Sequence, residues 1–312
     1  MPDLALDLRY LKYAIVVAEQ GSFRRAADIL NLSQSTVSRR IQILERTLGV
    51  PLFERSRIGA RPTLAGERFI REAAVSAGQL RQTVNKMALI KRGDAGELKI
   101  GLMASLASGF LSELLRTYHR HFPHVDVKLE EATAQANAAS VLNGRLDAAF
   151  IPGDPRLPGC QTRYLWSERI FVALPERHLL ASSRNITLQD VRGEVFLVTA
   201  DAAGPEIEDY LVRHLSGPGF RPKILIQRVG RENLMHMVAK GFGITLTSYS
   251  TLGAVYPGVS FLPIGDGAEI VGSSVVWSTI NQNPALKRLL DLAAFLASRP
   301  QQPSGPALIG LE

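Results

Sequence analysis

The first part of the chain carries apolar residues at helical spacing, and capping residues separate the segments. A first helix is predicted over 8–20. Ser22 can cap a second helix over 23–30, and Ser33 can cap a third that ends at Gly49. Two short helices, a brief turn and a third helix are typical of a helix-turn-helix motif.

The third helix has one apolar stripe and one polar, cationic face. Val37, Ile41 and Leu44 fall at positions i, i+4 and i+7 and predict the buried stripe. The other face exposes side chains that can hydrogen-bond base edges in a major groove. These side chains are Gln34, Ser35, Ser38, Arg39 and Gln42. A plain solvated helix face is the alternative for this stretch taken alone.

Residues 51–63 predict a wing of two short strands around a glycine turn. Its arginines are suited to phosphate or minor-groove contact, although a solvated loop would also carry them. The candidate DNA-binding residues of the whole N-terminal part are Ser33, Gln34, Ser35, Thr36, Ser38, Arg39, Arg40, Arg55, Arg57 and Arg61.

A long helix follows, from a cap at Thr63 to about Arg92. Its apolar residues are spaced alternately three and four apart, which is a heptad seam. The seam consists of Ile70, Ala73, Ala77, Leu80, Val84 and Met87. We expect it to pair with a second copy of the chain, which would place two recognition helices against two DNA half-sites. The alternative is packing against the C-terminal part of its own chain.

Residues 93–96, Gly-Asp-Ala-Gly, predict a flexible break, and after it strands alternate with helices. That alternation predicts an α/β fold with parallel sheets. The stretch from Arg299 is rich in Pro, Gln and Gly and predicts a flexible tail. The expected organisation is an all-α winged helix-turn-helix over 1–64, a dimerising linker helix over 65–92, an α/β domain over 93–298 and a tail over 299–312.

Charge separates the two parts of the chain. The 312 residues are 46% hydrophobic, enough for two domains with real cores, and carry a net charge of +7. Residues 1–92 hold 16 Lys and Arg and 8 Asp and Glu, whereas the remaining residues hold 20 and 21. The positive excess therefore lies in the N-terminal third, which predicts a polyanionic partner there and a different task for the rest.

Several absences narrow the function classes. The single cysteine, Cys160, allows no internal disulfide and favours a reducing compartment. Without a membrane-length apolar run or a signal-peptide core, we expect a soluble, cytoplasmic protein with no membrane partner. His119 and His121 do not share a helix face, so no metal site is expected. No dinucleotide fingerprint or G-x-S-x-G element is present, so we expect neither a cofactor nor an enzyme.

These residues together resemble the LysR-type transcriptional regulators. The specific part of the match comprises Leu8–Leu11, Gly21–Phe23, Arg25–Ala27, Ser33-Gln34, Ser38-Arg39, Leu48-Gly49, Leu52–Arg55 and Thr63–Gly66. A looser part comprises Gly96–Gly101, Phe122-Pro123, Gly144–Ala149 and Gly241–Ile244. The resemblance covers nearly the whole chain, to about Ser298.

The resemblance implies promoter binding by a tetramer of two dimer pairs. It also implies a ligand domain like that of periplasmic binding proteins, with two α/β lobes joined by two crossing strands. Here the crossings are expected near Ile151-Pro152 and near Leu262–Ile264. By position, the residues that would contact DNA are Gln34, Ser35, Ser38 and Arg39 at the bases and Arg55 at the backbone. Many relatives have proline where this chain has Ser35.

In such a two-lobed domain the cleft lies at the carboxyl ends of the strands, where helix N-termini offer N–H groups to anions. The resemblance puts the effector there, and we expect a small organic molecule, with an organic anion as the favoured class. The candidate effector-binding residues are Ser105, Thr133, Thr199, Arg231 and Thr247. A Ser or Thr after a strand can equally be only a helix cap, and Arg231 can form a surface ion pair.

Two functions of different classes remain open at this point. One is a regulator whose C-terminal domain binds an effector and alters promoter binding. The other is a constitutive DNA-binding regulator whose C-terminal domain only oligomerises. They differ in whether the cleft binds anything, because a ligand shifts an equilibrium only by its difference in affinity for two states.

Overall fold

A computed structural model describes residues 8–56, 59–184, 186–265 and 269–299. The chain divides into two compact units between Ala88 and Leu89. Each unit has its own hydrophobic core. Within the described ranges, the helices are all too short or too polar to span a membrane.

The first unit contains three helices, a β-hairpin and most of a long helix, whose last residues belong to the second unit. Its elements are α1 (Leu8–Gln20), α2 (Phe23–Leu30), α3 (Gln34–Leu48), β1 (Phe53–Ser56), β2 (Gly59–Pro62) and α4 (Leu64–Arg92). The three helices predicted from apolar spacing, the wing and the long helix are all confirmed. Val37, Ile41 and Leu44 of α3 are buried in the core, as their spacing predicted.

Hydroxyl side chains cap the N-termini of α2, α3 and α4, as their positions in the sequence predicted. Ser22 Oγ accepts a hydrogen bond from Arg25 N at 3.4 Å, and Ser33 Oγ accepts one from Thr36 N at 3.2 Å. Thr63 Oγ1 accepts one from the backbone N of the third residue of α4 at 2.9 Å. Each cap satisfies one of the amide groups that a helix leaves unpaired at its start.

Two glycines allow the hairpin to dock closely on the helices. Ala60 N donates to Gly21 O at 2.9 Å, and a Cβ at Gly59 would lie only 2.5 Å from that same oxygen. A Cβ at Gly66 would lie 2.0 Å from Leu52 O. Any side chain at either position would displace the backbone it meets, so the hairpin is fixed against this unit by close backbone contact.

The second unit has two lobes. The first lobe contains β3 (Ala95–Leu102), α5 (Gly109–His121), β4 (His124–Glu131), α6 (Ala134–Leu142), β5 (Ala148–Pro152) and α9 (Pro284–Ala297). β3 lies between β4 and β5 and is parallel to both, as the α/β pattern predicted. Apolar side chains of α5 and α9 pack with those of β3 to form its core.

The second lobe repeats the strand–helix alternation. It contains β7 (Val195–Thr199), α7 (Gly204–Leu215), β8 (Lys223–Gln227), α8 (Arg231–Ala239), β9 (Thr245–Ser248), a 3-10 helix (Tyr249–Gly253) and β10 (Val259–Pro263). β7 and β8 are parallel. The hydrophobic core of this lobe includes Phe196, Val198, Leu211 and Leu246.

Two long strands, β6 (Cys160–Pro175) and β11 (Ile270–Ser278), connect the lobes. The first part of β6 pairs with β11 in the first lobe, and its last part pairs with β9 and β10 in the second. All of these pairings are antiparallel. The predicted parallel pairs are present within each lobe, and the strands that connect the lobes make the sheets mixed. A strand that carries the chain from one lobe to the other is thus antiparallel to the strands beside it.

The first crossing predicted from the sequence is misplaced. At Ile151-Pro152 the chain is still in the first lobe, and it leaves that lobe inside β6. The sequence pattern hides this crossing, because the charged Glu168 and Arg169 interrupt the apolar residues of β6. The second crossing, expected near Leu262–Ile264, lies where β10 ends and the chain turns toward β11.

The predicted flexible break over 93–96 is instead a turn at Gly93 and Asp94, followed directly by the start of β3. Asp94 N donates to Leu89 O at 3.0 Å, and Gly93 has a φ of 77°. Arg288 on α9 donates from Nε to Arg92 O at 3.0 Å and from Nη2 to Asp94 Oδ1 at 3.2 Å. The turn is therefore held by both backbone and side-chain hydrogen bonds.

Candidate functional site

The polar face of α3 is the first candidate site. Gln34, Ser35 and Arg39 are exposed on it, opposite the buried stripe, and Ser38 is partly buried. Ser33 Oγ lies 2.9 Å from Ser35 Oγ and 2.7 Å from the hydroxyl of Thr36. The first turn of α3 thus presents a set of linked hydroxyl groups beside an amide and a guanidinium group.

Arg40 differs from its neighbour Arg39. Its guanidinium lies over the ring of Tyr13 on α1, 5.0 Å from the centroid, and donates a hydrogen bond to the Tyr13 hydroxyl. Cation–π contact and hydrogen bonding both hold this side chain against α1. Of the two predicted arginines on α3, Arg39 is exposed, while Arg40 connects two helices.

The hairpin lies next to α3 because a carboxylate joins them. Glu45 Oε1 on α3 accepts hydrogen bonds from Leu52 N at 2.9 Å and Phe53 N at 3.1 Å. In the hairpin Arg61 is exposed and pairs in register with Glu54. The backbone of Arg55 belongs to β1, whereas Arg57 lies outside the described residues.

The second candidate site is a cavity of about 470 Å³ between the two lobes of the second unit. It is lined at the carboxyl ends of β3, β7 and β8, as expected for a two-lobed α/β domain. Much of its wall is apolar, including Met103, Phe150, Trp166, Ile207, Leu234 and Met235. The volume falls within the range of small-molecule sites.

Four of the five predicted effector residues line this cavity: Ser105, Thr199, Arg231 and Thr247. The fifth, Thr133, does not, because its hydroxyl serves as the cap of α6 and accepts a hydrogen bond from Ala136 N at 3.2 Å. Thr199 Oγ1 donates to Asp201 O at 2.7 Å. The hydroxyl groups in the wall therefore have internal partners, but their oxygen atoms keep lone pairs that can accept from a ligand.

Arg231 at the start of α8 reaches from the second lobe to the first. Its Nη2 donates to Met103 O at 3.2 Å and lies 3.3 Å from Oε1 of Glu131. All three residues line the cavity. The ion pair that the sequence left open as an alternative is therefore present, and it joins the lobes.

Besides Glu131, two more glutamates line the cavity, and none of the three was predicted from the sequence. Glu168 is buried and accepts from Trp166 Nε1 at 2.9 Å and from Ser250 N at 3.0 Å. Glu206 lies in the first turn of α7, and burial raises the pKa of its carboxyl above the ordinary value. An acidic residue in a first helical turn is common, so its position gave no sign that its carboxyl lines a cavity.

The described residues contain no cluster of His, Cys, Asp and Glu that could hold a metal ion. His121 Nδ1 instead lies 2.8 Å from Thr117 O on its own helix. Burial raises the pKa of the Cys160 thiol, which favours the less reactive protonated form.

Family models match both units. A model for the bacterial regulatory helix-turn-helix protein of the lysR family matches residues 8–67, and a model for the LysR substrate binding domain matches residues 91–296. The second match alone spans more than half of the chain.

The chain belongs to the LysR family of transcriptional regulators.

Relatives of this LysR-family protein match it over almost their full length. The HTH-type transcriptional regulator XapR of Escherichia coli (strain K12) is 30% identical over 91% of this chain and 96% of its own. The HTH-type transcriptional regulator AlsR of Bacillus subtilis (strain 168) is 27% identical over 95% and 98%. The resemblance on which the sequence interpretation relied is therefore confirmed, and these relatives are named as regulators.

Solved structures support the same fold. Full-length CbnR in complex with its target DNA matches with a TM-score of 0.79 at 26% identity, over 94% of this chain and 100% of CbnR. Full-length BenM matches with a TM-score of 0.55 at 26% identity, over 93% and 96%. The LysR-family protein thus has a helix-turn-helix unit and a LysR substrate-binding unit, as the sequence predicted.

Proposed function

We propose that this LysR-family regulator binds specific promoter DNA as a homo-oligomer and that a small molecule in the interlobe cavity alters this binding. The effector-binding part of this proposal rests on the cavity of about 470 Å³, which has apolar walls and several convergent polar groups. A domain that served only to oligomerise would not need such a cavity.

The DNA half rests on the exposed face of α3 and on the family membership. We assign base contacts to Gln34, Ser35, Ser38 and Arg39, and backbone contacts to Arg55, Arg57 and Arg61. Ser33 and Thr36 organise the first turn of the helix through their hydroxyl groups. Arg40 contributes by holding α3 against α1. The solved complex of full-length CbnR with its target DNA supports the DNA half of the proposal.

The oligomer is proposed to form through α4. Leu80, Val84 and Met87 of the predicted seam are exposed in the single chain, with exposed fractions of 45%, 60% and 55%. A helix that leaves a heptad seam exposed can bury it against a second copy. We propose a dimer through this helix and, from the family resemblance, a tetramer of two such dimers.

Because its proposed target is promoter DNA, we place the protein in the cytoplasm and propose a regulatory rather than an enzymatic role. The constitutive alternative shares the DNA half of the proposal and lacks the effector half. The two are separated by whether occupation of the cavity changes DNA affinity.

The test begins by selecting genomic fragments that the full-length protein retains, followed by measuring affinity for a selected site at several salt concentrations. We expect a steep fall in affinity with salt, because neutralised phosphates release counterions. A cavity ligand should then change the affinity for that site. A salt-independent affinity would contradict the DNA half, and a cavity ligand without effect on affinity would favour the constitutive alternative.

A further inference from the structure

The charges in the cavity wall do not favour an anion. Among the described residues, four carboxylates line it, from Glu131, Glu168, Asp201 and Glu206, against the two guanidinium groups of Arg228 and Arg231. The guanidinium of Arg231 is already engaged by Glu131 and Met103 O. An anionic ligand would therefore enter a wall with more carboxylate than guanidinium groups, and nearby like charges disfavour its charged form.

The helix N-termini that suggested an anion are in part occupied. Thr133 Oγ1 caps α6, and the carboxyl of Glu206 is close enough to the backbone N–H of Ala134, in the first turn of the same helix, for that N–H to lower its pKa. The N-terminus of α6 thus already has an acceptor and a carboxylate beside it. An additional anion there would gain little from the helix.

Among the described residues of the cavity wall, Glu206 has a buried carboxyl oxygen that lacks a hydrogen bond. Its Oε2 is buried and has no hydrogen-bond partner within the part of the chain that the structure describes. Glu168, by comparison, uses both carboxylate oxygens on Trp166 and Ser250. Since an unpaired buried polar atom costs free energy, a ligand that supplies a donor to Glu206 would gain what the free protein lacks.

The residues around Glu206 indicate the chemical character of the rest of the ligand. Ile207, Leu234 and Met235 line the same cavity and offer apolar contact. A ligand with an apolar skeleton and one hydrogen-bond donor matches both features. Its skeleton would be buried against the apolar side chains of the wall, and its donor would hydrogen-bond the Glu206 carboxyl.

We propose that the cavity selects a partly apolar molecule whose amine or hydroxyl group donates a hydrogen bond to Glu206, and that it discriminates against simple carboxylates. This inference rests on the proposed effector function of the cavity and replaces the organic anion expected from the sequence with a donor ligand. Glu206 determines specificity, and Arg231 holds the lobes together.

Three probes with one skeleton test this: cyclohexylmethylamine, cyclohexylmethanol and cyclohexanecarboxylate. Each is titrated against the full-length protein, and binding is followed by thermal midpoint and by tryptophan fluorescence, to which Trp166 in the cavity wall contributes. The variants are Glu206→Gln and, as a matched control, Glu208→Gln on the same helix, a position that does not line the cavity.

We expect the amine or the alcohol to bind the wild-type protein and the Glu208→Gln variant equally. For the amine, Glu206→Gln should weaken binding about tenfold or more, since an amide lacks the charge that attracts an ammonium group. For the alcohol the loss should be smaller, because the amide oxygen still accepts. Amine binding should also strengthen as pH rises through the raised pKa of Glu206.

Two results would overturn the inference in different ways. In the first, cyclohexanecarboxylate binds more tightly than the other two probes while Glu206→Gln leaves the binding of the amine and the alcohol unchanged. That result would show that the proposed ligand class is wrong, although the cavity still binds small molecules. If none of the probes binds at about 10 mM while the protein still binds its selected DNA, the inference fails. The effector half of the proposed function is decided separately, by whether a cavity ligand changes the affinity for that DNA.

Discussion

Nη2 of Arg231 lies 3.3 Å from Oε1 of Glu131, and the same nitrogen donates to Met103 O at 3.2 Å. These contacts join α8 of the second lobe to the first lobe beside the cavity. The Arg231 and Glu131 side chains have exposed fractions of 28% and 50%, so solvent weakens their attraction. The hydrogen bond to the backbone makes the contact directional, which favours one arrangement of the lobes.

Replacing Arg231 with alanine should loosen the contact between the lobes. We expect a loss of about 1 kcal/mol in the free energy of unfolding of the second unit, because one charge-assisted hydrogen bond and one partly exposed ion pair disappear. For a unit of this size that corresponds to a fall of about 2–4 °C in thermal midpoint. Arg228→Ala is the matched control, since Arg228 also lines the cavity but forms no ion pair with a described residue. Equal midpoints for the two variants would contradict a role in joining the lobes.

Replacing Arg39 with alanine should weaken specific DNA binding. Loss of an arginine that contacts a base edge costs about 1–3 kcal/mol and relaxes the preference at that base pair. The measurement is fluorescence anisotropy with the selected site and with single-base variants of it. Arg213→Ala, an exposed position on α7, should leave affinity unchanged. Unchanged affinity and unchanged base preference in Arg39→Ala would show that this side chain does not contact bases.

A charge in the α4 seam should separate the dimer. In Val84→Asp each copy would bury an aspartate at the proposed contact, and an unpaired buried charge costs several kcal/mol. The fraction of dimer at micromolar concentration, measured by light scattering after gel filtration, should fall sharply. Gln82→Asp adds the same charge to an exposed position of the helix outside the predicted seam and should leave the dimer intact. If both variants behave like the wild type, the dimer does not form through this seam.

Glu206 should make the free protein less stable as pH rises. Burial raises the pKa of its carboxyl in the folded state above that of the unfolded chain. Between those two pKa values the folded state binds more protons, so the free energy of unfolding falls as pH increases through this window, which begins at about 4.3. Glu206→Gln should flatten this dependence and stabilise the protein at neutral pH.

Chemical denaturation from acid to neutral pH measures this effect, with Glu208→Gln as the control. The control should keep the wild-type dependence on pH. A Glu206→Gln variant that is less stable than the wild type at neutral pH would show that the carboxylate is better satisfied by its neighbours than the burial of Oε2 indicates.

Local patterns determined most of the first unit. The stripe of Val37, Ile41 and Leu44, the caps at Ser22 and Ser33, and the paired strands of the hairpin each involve residues close together in sequence. Periodicity and capping are local, so one sequence suffices to predict them. Family resemblance added the assignment to LysR regulators, which periodicity alone could not provide.

The amino-acid sequence by itself determined the helix-turn-helix, the long helix, the α/β character of the rest and four residues of the cavity wall. Only the tertiary structure decided that β6 carries the chain between lobes, that Arg40 contacts Tyr13, and that Glu206 lines the cavity with an Oε2 that meets no hydrogen-bond donor among the described residues. The reason is distance along the chain. Whether a charged side chain meets solvent, a ring or a cavity depends on residues far away in sequence, and those neighbours exist only once the chain has folded.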